Sequence, residues 1–281
     1  MSDTAAISRR TAETVGRGLR ARWYHLPVLQ VYSVLALLFL FLPVMMLVIL
    51  SFNSNTTGVF PLKGFTLDWY YQALQNKILW PALRNSIVVA LGTALVSALL
   101  GTPVAFGLIR FNFPFKNALR WILTIPMSLP TLLIGIALLS FFALTSIPRS
   151  LLTVIIGHVV YCVPYMVLVV TARLAEFDFT VEEAAQDLGA TPLQTFWQIT
   201  FPLIRPTIVG AMLLIFAQSF DMFVISFFNI GAQSTLPMVI WSMMRIGINP
   251  SLNALGTMIM GLSMLLLLLA NLFGGVKFGG V

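Results

Sequence analysis

Six stretches of about twenty mostly apolar residues recur along this chain, each long enough to carry an α-helix across the hydrocarbon of a bilayer. They are Leu26–Leu50, Ile87–Leu108, Trp121–Phe142, Leu151–Ala172, Pro206–Phe228 and Ala254–Phe273. In hydrocarbon every backbone N–H and C=O must find its partner within the protein, which makes the helix the form such a stretch takes. The expected fold class is an all-α membrane protein with about six transmembrane helices. Composition agrees, because 59% of the 281 residues are hydrophobic and only 9% charged. A soluble domain carries about 25% charged residues, and one of this length keeps too wet an exterior to hide so much apolar surface. The first stretch exceeds the roughly 7–15-residue core of a secretory signal. No Ala-x-Ala cleavage pattern follows it, so it reads as a retained helix.

The net charge of +7 is concentrated in an N-terminal arm, with Arg9, Arg10, Arg17, Arg20 and Arg22, and in the short loops. That distribution points to topology rather than to nucleic acid. With the N-terminus inside, the inner segments hold eleven Lys and Arg against five in the outer ones, which places both termini in the cytoplasm. The expected organisation is a basic arm over residues 1–25 and one membrane domain over residues 26–281, with an internal loop at residues 173–205. No internal repeat of the kind that builds many secondary transporters is visible, so the chain reads as half of a dimeric pathway. Small residues, Ala90, Ala94, Ala98, Ser97, Gly101 and Ala105, line the second stretch and favour close helix contact, within or between subunits. Prolines 103, 126, 130 and 164 interrupt the second, third and fourth stretches.

Chemistry-bearing clusters are few. None of the four lysines is followed by Ser or Thr, so the chain has no phosphate-binding loop and does not hydrolyse ATP through one. His158 and Cys162 stand four apart without a third ligand and read as packing rather than metal binding. Cys162 is the single cysteine, which excludes an intrachain disulfide. The chain is expected to hold no cofactor and no metal.

The internal loop is the richest segment, with five of the nine acidic residues. Thr180 and Glu183 have capping-box spacing. Val181, Ala184, Ala185 and Leu188 then share one helical face, with Glu182, Glu183, Gln186 and Asp187 mostly opposite, and Gly189 stands at the C-terminal cap. Thr191, Pro192 and Gln194 start a second short helix, whose face is Leu193, Phe196, Trp197, Thr200 and Phe201. Pro202 and Pro206 bracket the expected turn into the fifth membrane helix. Two short capped helices with unburied apolar faces read either as a loop packed on its own bundle or as a docking element for a soluble partner.

The run Glu183-Ala184-Ala185, Gly189 and Ile199-x-Phe201-Pro202 resembles the EAA motif of the MetI-like, type I ABC importer permeases, with Phe201 where leucine is usual. The stretches Ser219–Phe228, Thr235–Pro237 and Trp241–Arg245 are similar to the spermidine/putrescine-type permeases of that superfamily. The resemblance implies that Glu183, Ala184, Ala185, Gly189, Ile199 and Pro202 couple the chain to an ATPase subunit. It implies cytoplasmic ATP-binding subunits that hold ATP and Mg, a second, related permease subunit and an extracytoplasmic solute-binding protein. It also implies a multi-pass place in a bacterial inner membrane, with lipid around it and no nucleic acid, and a subunit that is not itself an enzyme. The implied substrate is a polyamine, with an opine, an aminophosphonate or another amine-bearing solute as alternatives. A secondary transporter or channel is the alternative of another class.

Asp221 is the only acidic residue within the six stretches. A carboxylate in mid-membrane costs roughly 2.5–3.5 kcal/mol on insertion scales, so it belongs toward the bundle interior or a wet cavity. Two readings are open: a counter-charge on the path of a cationic solute, or a hydrogen-bonded helix contact, to Ser219 or a neighbouring subunit. Phe220, Tyr161 and Tyr165 are candidate aromatic faces for an amine along the same path, and Trp241 reads as external. Polyamine-type members often carry a second acid beside this position, where this chain has Met222.

Overall fold

The structure, a computed structural model, describes residues 27–56, 60–246 and 250–274. The basic arm of residues 1–25 lies outside the described residues. The chain divides into two compact units, residues 1–73 with 248–281 and residues 74–247.

In the first unit α1 (Pro27–Ser51) pairs with α12 (Pro250–Gly274). Gly256 brings the two backbones together: a Cβ there would lie 3.1 Å from Leu47 Cδ1. The remainder of α1 is lined with exposed leucine, valine and phenylalanine, as befits a helix whose surroundings are apolar. The segment after α1 is tied by polar and aromatic contacts. Phe52 stacks on Phe65 at 5.3 Å, the Ser51 and Tyr70 hydroxyls meet at 2.6 Å, and Trp69 Nε1 donates to the Asn53 carbonyl at 2.8 Å. Tyr70 and Trp69 belong to α2 (Asp68–Gln75).

The second unit is built on α3 (Leu79–Arg110), α6 (Leu151–Ala175) and α9 (Phe201–Asp221). The small-residue face of α3 makes the α3–α6 contact within this chain. Ala90, Ala94, Ser97, Gly101 and Ala105 are all buried. A Cβ on Gly101 would lie 2.8 Å from Met166 Cβ, and one on Gly92 3.0 Å from Ile155 Cδ1. Both α3 and α6 run unbroken through their prolines, Pro103 and Pro164. Of the three stretches that carry these prolines, the third breaks. It becomes α4 (Lys116–Ser128) and α5 (Thr131–Leu144), bent by 104° at Leu129-Pro130. A residue before proline avoids the helical region, and Leu129 takes an extended conformation with ψ 140°.

The fifth stretch is also not one helix. It ends at Asp221, and α10 (Phe223–Asn229) follows after Met222 leaves helical geometry at ψ 96°. Two glycines make the seat for α10: a Cβ on Gly157 would lie 2.7 Å from Ile225 Cγ2, and one on Gly135 3.1 Å from Phe228 Cδ2. Asn229 then fastens its end, donating to the carbonyls of Gly135 at 3.2 Å and Ile225 at 2.9 Å, while Thr153 donates to the Asn229 carbonyl at 2.7 Å. The Met-rich stretch beyond forms α11 (Leu236–Ile246). Among the described residues four helices, Leu29–Ser51, Leu79–Arg110, Leu151–Ala175 and Pro192–Asp221, are each long and apolar enough to cross a membrane, or five spans if α4 and α5 count as one. The sixth stretch lies in the 25-residue α12. The break at Pro130 divides the third stretch, and the break at Met222 leaves α10 beyond the end of the fifth span.

Glycine is therefore used for space at Gly101 and not at Gly210, where an added Cβ meets nothing within 4 Å. Gly101→Ala is expected to destabilise the chain by about 1–3 kcal/mol through overpacking. Gly210→Ala is expected to leave stability unchanged or raise it by up to about 1 kcal/mol, through helix propensity alone. Thermal unfolding of the two purified variants in one detergent checks the contrast.

Candidate functional site

The EAA run folds as α7 (Thr180–Asp187). Its start differs from the capping box expected at Thr180 and Glu183. Thr180 is already helical, and Asp178 does the capping, accepting from the Thr180 amide at 3.0 Å and the Thr180 hydroxyl at 2.8 Å. An Asp outside the first turn outcompetes Thr because its carboxylate can take both donors at once. These bonds, the hydroxyl first, hold the Asp178 carboxyl below its ordinary pKa. Its contribution to the loop is therefore present above the ordinary carboxylate value of about 3.9 and is lost as pH falls through the lowered one. The other end follows expectation. Gly189 has φ +94°, the Ala190 amide reaches the Ala185 carbonyl at 3.0 Å, and the Gly189 amide reaches that of Gln186 at 2.9 Å. This is a Schellman cap, and it requires the left-handed residue that glycine supplies.

The second short helix, α8 (Pro192–Thr195), starts with the expected capping box of Thr191 and Gln194. No turn separates it from the membrane helix. A single π-helical turn, Phe196–Thr200, joins α8 directly to α9, so Pro192–Asp221 is one continuous span. The wider turn accommodates Pro202, which has no N–H to give to the bond ladder of the continuous helix. Ile199 is half-buried within the π turn. Residues 173–175 belong to α6, and the loop proper spans residues 176–191.

What ties this loop to the bundle was not legible in its periodicity. Glu182, which the helical face assigns to the solvent side, is the buried acid. It is ion-paired to Arg110, the last residue of α3, and accepts from the Thr200 hydroxyl at 2.5 Å. The guanidinium lies 5.3 Å from the centre of the Phe106 ring and 5.4 Å from that of Phe179. With Glu182 turned inward, the apolar residues of α7 turn outward. Leu188 is 90% exposed, Val181 43%, and on the adjoining helix Leu193 is 68% and Trp197 57% exposed. Glu183 and Ala184 are exposed and Ala185 half-buried. An Arg 72 residues away in sequence leaves no local signal. Removing its partner, in Glu182→Ala, is expected to cost the loop about 1.5–3 kcal/mol. Amide exchange across residues 177–191 should then rise at least about tenfold; equal exchange in variant and parent would dismiss the pair as the anchor.

The second candidate locus is the break at Met222. Asp221 is the terminal residue of α9 rather than a mid-helix residue, and it is exposed. Among the described residues it makes no hydrogen bond or ion pair. Ser219 is not its partner, because the Ser219 hydroxyl meets His158 Nδ1 at 2.7 Å. His158 Nε2 in turn meets the Ser226 hydroxyl on α10 at 3.0 Å, and Ser226 donates to the Met222 carbonyl at 2.9 Å. Ser226 has spent its one proton, so the consistent arrangement has Nε2–H donating to Ser226 and Nδ1 accepting from Ser219. His158 is fully buried and belongs to no metal-ligand cluster among the described residues. Tyr161 and Tyr165 meet each other, hydroxyl to hydroxyl at 3.2 Å, and both are half-exposed. Phe220 stacks on Phe216 at 6.0 Å, and Trp241 packs on Phe223 at 5.4 Å. No hydrogen bond among the described residues joins Asp221 to either tyrosine.

Residues 97–275 match the family of binding-protein-dependent transport system inner membrane components. The chain is 38% identical to the putrescine transport system permease protein PotI of Escherichia coli K12, over 84% of this chain and 89% of that one. It is 32% identical to the spermidine/putrescine transport system permease protein PotC of the same strain, over 86% and 92%. Among solved structures, a bacterial ABC transporter that imports the acidic polysaccharide alginate aligns with TM-score 0.68 at 16% identity, covering 90% of this chain and 95% of that one. The MetNI methionine ABC transporter, in an inward-facing form, aligns with TM-score 0.57 at 19% identity, covering 69% and 92%. The two structures share the fold; the family match and the two permeases, each alike over most of its length, carry the kinship. The chain belongs to the binding-protein-dependent transport system inner membrane components, the multi-pass permeases of ABC importers.

Proposed function

We propose that this permease forms half of the translocation path for a small cationic solute, a polyamine such as putrescine or spermidine, driven by ATP hydrolysis in separate subunits. The observation that carries the substrate class is the carboxylate of Asp221 at the C-terminal end of an interrupted membrane helix. A helix C-terminus bears about half a negative charge, and an anion placed there is unfavourable unless a cation visits. Discontinuous helices with their carbonyl ends toward a cation are a recurring way to build such a site within a membrane. Phe220 on α9 and Tyr161 and Tyr165 on α6 supply aromatic faces. The relatives named for putrescine and spermidine support the same class. Met222 leaves this break with one carboxylate, which suits a single ammonium group at this point of the path.

The coupling role rests on the outward face of α7. Glu183, Ala184, Ala185 and Gly189, with Ile199 and Pro202 behind them, form the cytoplasmic element on which an ATP-binding subunit docks, and ATP and Mg belong to that partner. Val181, Leu188, Leu193 and Trp197 are the apolar surface the docking covers. A second, related permease completes the path, a solute-binding protein delivers to its outer mouth, and both termini lie in the cytoplasm, as the Lys and Arg bias favours.

Stimulated ATPase activity of the reconstituted complex with its binding protein tests the substrate. Stimulation by putrescine or spermidine is the expected result, and stimulation only by a different amine-bearing solute would overturn the polyamine assignment. Asp221→Asn is expected to lower uptake of the cation about tenfold or more, as loss of one partner of a charge pair does, with normal recovery of the assembled complex. Ala185→Glu and Gly189→Pro address the docking face. The first buries a charge in the contact, and the second cannot adopt φ +94° because proline is held near −65°. Both should abolish solute-dependent ATPase activity, and copurification of the ATPase at parental levels with Ala185→Glu would remove the docking role.

A further inference from the structure

His158 stands on α6 and touches both halves of the broken helix. Ser219 is the antepenultimate residue of α9, two before Asp221, and Ser226 lies in α10, four beyond Met222. The imidazole bonds to both, at 2.7 and 3.0 Å, and all three side chains are buried. The ring therefore spans the break from behind, one nitrogen on each side. The bonds are also directional in a matched way: a neutral imidazole offers one donor and one acceptor, Ser226 needs the donor because its own proton is committed to Met222, and Ser219 supplies the proton for the acceptor.

Asp221 has no hydrogen bond or ion pair of its own among the described residues. Where its carboxylate sits is thus decided by the backbone at the break, and the break is decided by what holds α9 and α10. We propose that His158 is a positioning residue, a clasp that keeps the two half-helices at one relative setting and so fixes the Asp221 carboxylate on the solute path. The clasp is read from the hydrogen bonds alone; its consequence for transport rests on the reading of Asp221 given above.

The test compares two neutral replacements of similar bulk in the reconstituted complex, with putrescine as the probe. Glutamine carries one donor and one acceptor at its tip and can reproduce the clasp; leucine fills the apolar space and cannot. Losing two interhelical hydrogen bonds of roughly 0.6 kcal/mol each is expected to raise the KM for uptake about sevenfold to tenfold in His158→Leu. His158→Gln should stay within about twofold of the parent, and kcat should move little in either. A packing role predicts the reverse order, so a KM in the leucine variant equal to or below that of the glutamine variant overturns the proposal. In the Asp221→Asn background the leucine replacement should add less than about twofold, because the positioned group is already gone; full additivity of the two effects overturns the link to Asp221. An unchanged KM in Asp221→Asn by itself would overturn the reading of Asp221 and leave the clasp to a separate measurement. That measurement uses spin labels at the exposed positions Ala217 and Phe227, on either side of the break, with the buried Cys162 replaced by alanine. The distance distribution should broaden in His158→Leu and stay narrow in His158→Gln; identical distributions in both would overturn the clasp.

Discussion

The pairing of Arg110 with Glu182 is the constraint from which the structure of the EAA loop follows. Glu182 is buried on a short helix of eight residues, far too few to be stable alone in water. The helix exists because its ends are capped and because one of its side chains is tied to the end of α3. The guanidinium lies between Phe106 and Phe179, and the second bond to Glu182 comes from Thr200 in the π turn. Three elements, α3, α7 and the start of α9, are thus joined at one carboxylate. A buried charge pair needs additional hydrogen bonds to offset its desolvation cost, and Glu182 accepts one from the Thr200 hydroxyl. The inward turn of Glu182 is also what turns Val181 and Leu188 outward, so the same contact that anchors the loop presents its apolar residues on the surface.

Continuity of α8 through the π turn into α9 gives that anchor mechanical reach. Glu182 of α7 is bonded to Thr200 in the π turn, and α9 ends at the break that carries Asp221. The π turn arises where Pro202 denies the helix an amide. Wider turns of this kind are frequent at functional sites. At the far end, the seat of α10 between Gly135 and Gly157 and the bonds of Asn229 hold one side of the break, while His158 joins it to the other. The anchor of the EAA loop at Thr200 and the exposed carboxylate of Asp221 therefore lie along one continuous helix, Pro192–Asp221.

Much of this was readable in the residues before the fold. The run of apolar stretches, the small-residue face of α3, the Thr191–Gln194 box and the Gly189 cap all depend on neighbours within about four positions along a helix. Local steric and hydrogen-bonding rules suffice to recognise them. The EAA spacing carried the family for the same reason, since it is a pattern along one segment. The errors fell where two segments compete. Thr180 and Glu183 had the spacing of a cap, yet Asp178 was better placed to take both donors. Pro202 and Pro206 suggested a turn, yet a π turn absorbed the lost bond. Pro103 and Pro164 looked like interruptions, yet neighbouring helices hold α3 and α6 intact.

The sequence by itself determined that this chain lives in a membrane as helices, that no lysine stands in a phosphate-binding loop, and that one loop holds two short capped helices, because each of these is a property of composition or of near neighbours. Only the tertiary structure decided which acid of the EAA helix is anchor and which is surface, that the apolar stretch around Asp221 is two helices rather than one, and that His158 joins them. Those decisions rest on contacts between residues 61 to 72 positions apart, and at that separation the partner of a buried charge or hydroxyl is chosen by packing, which no local pattern encodes.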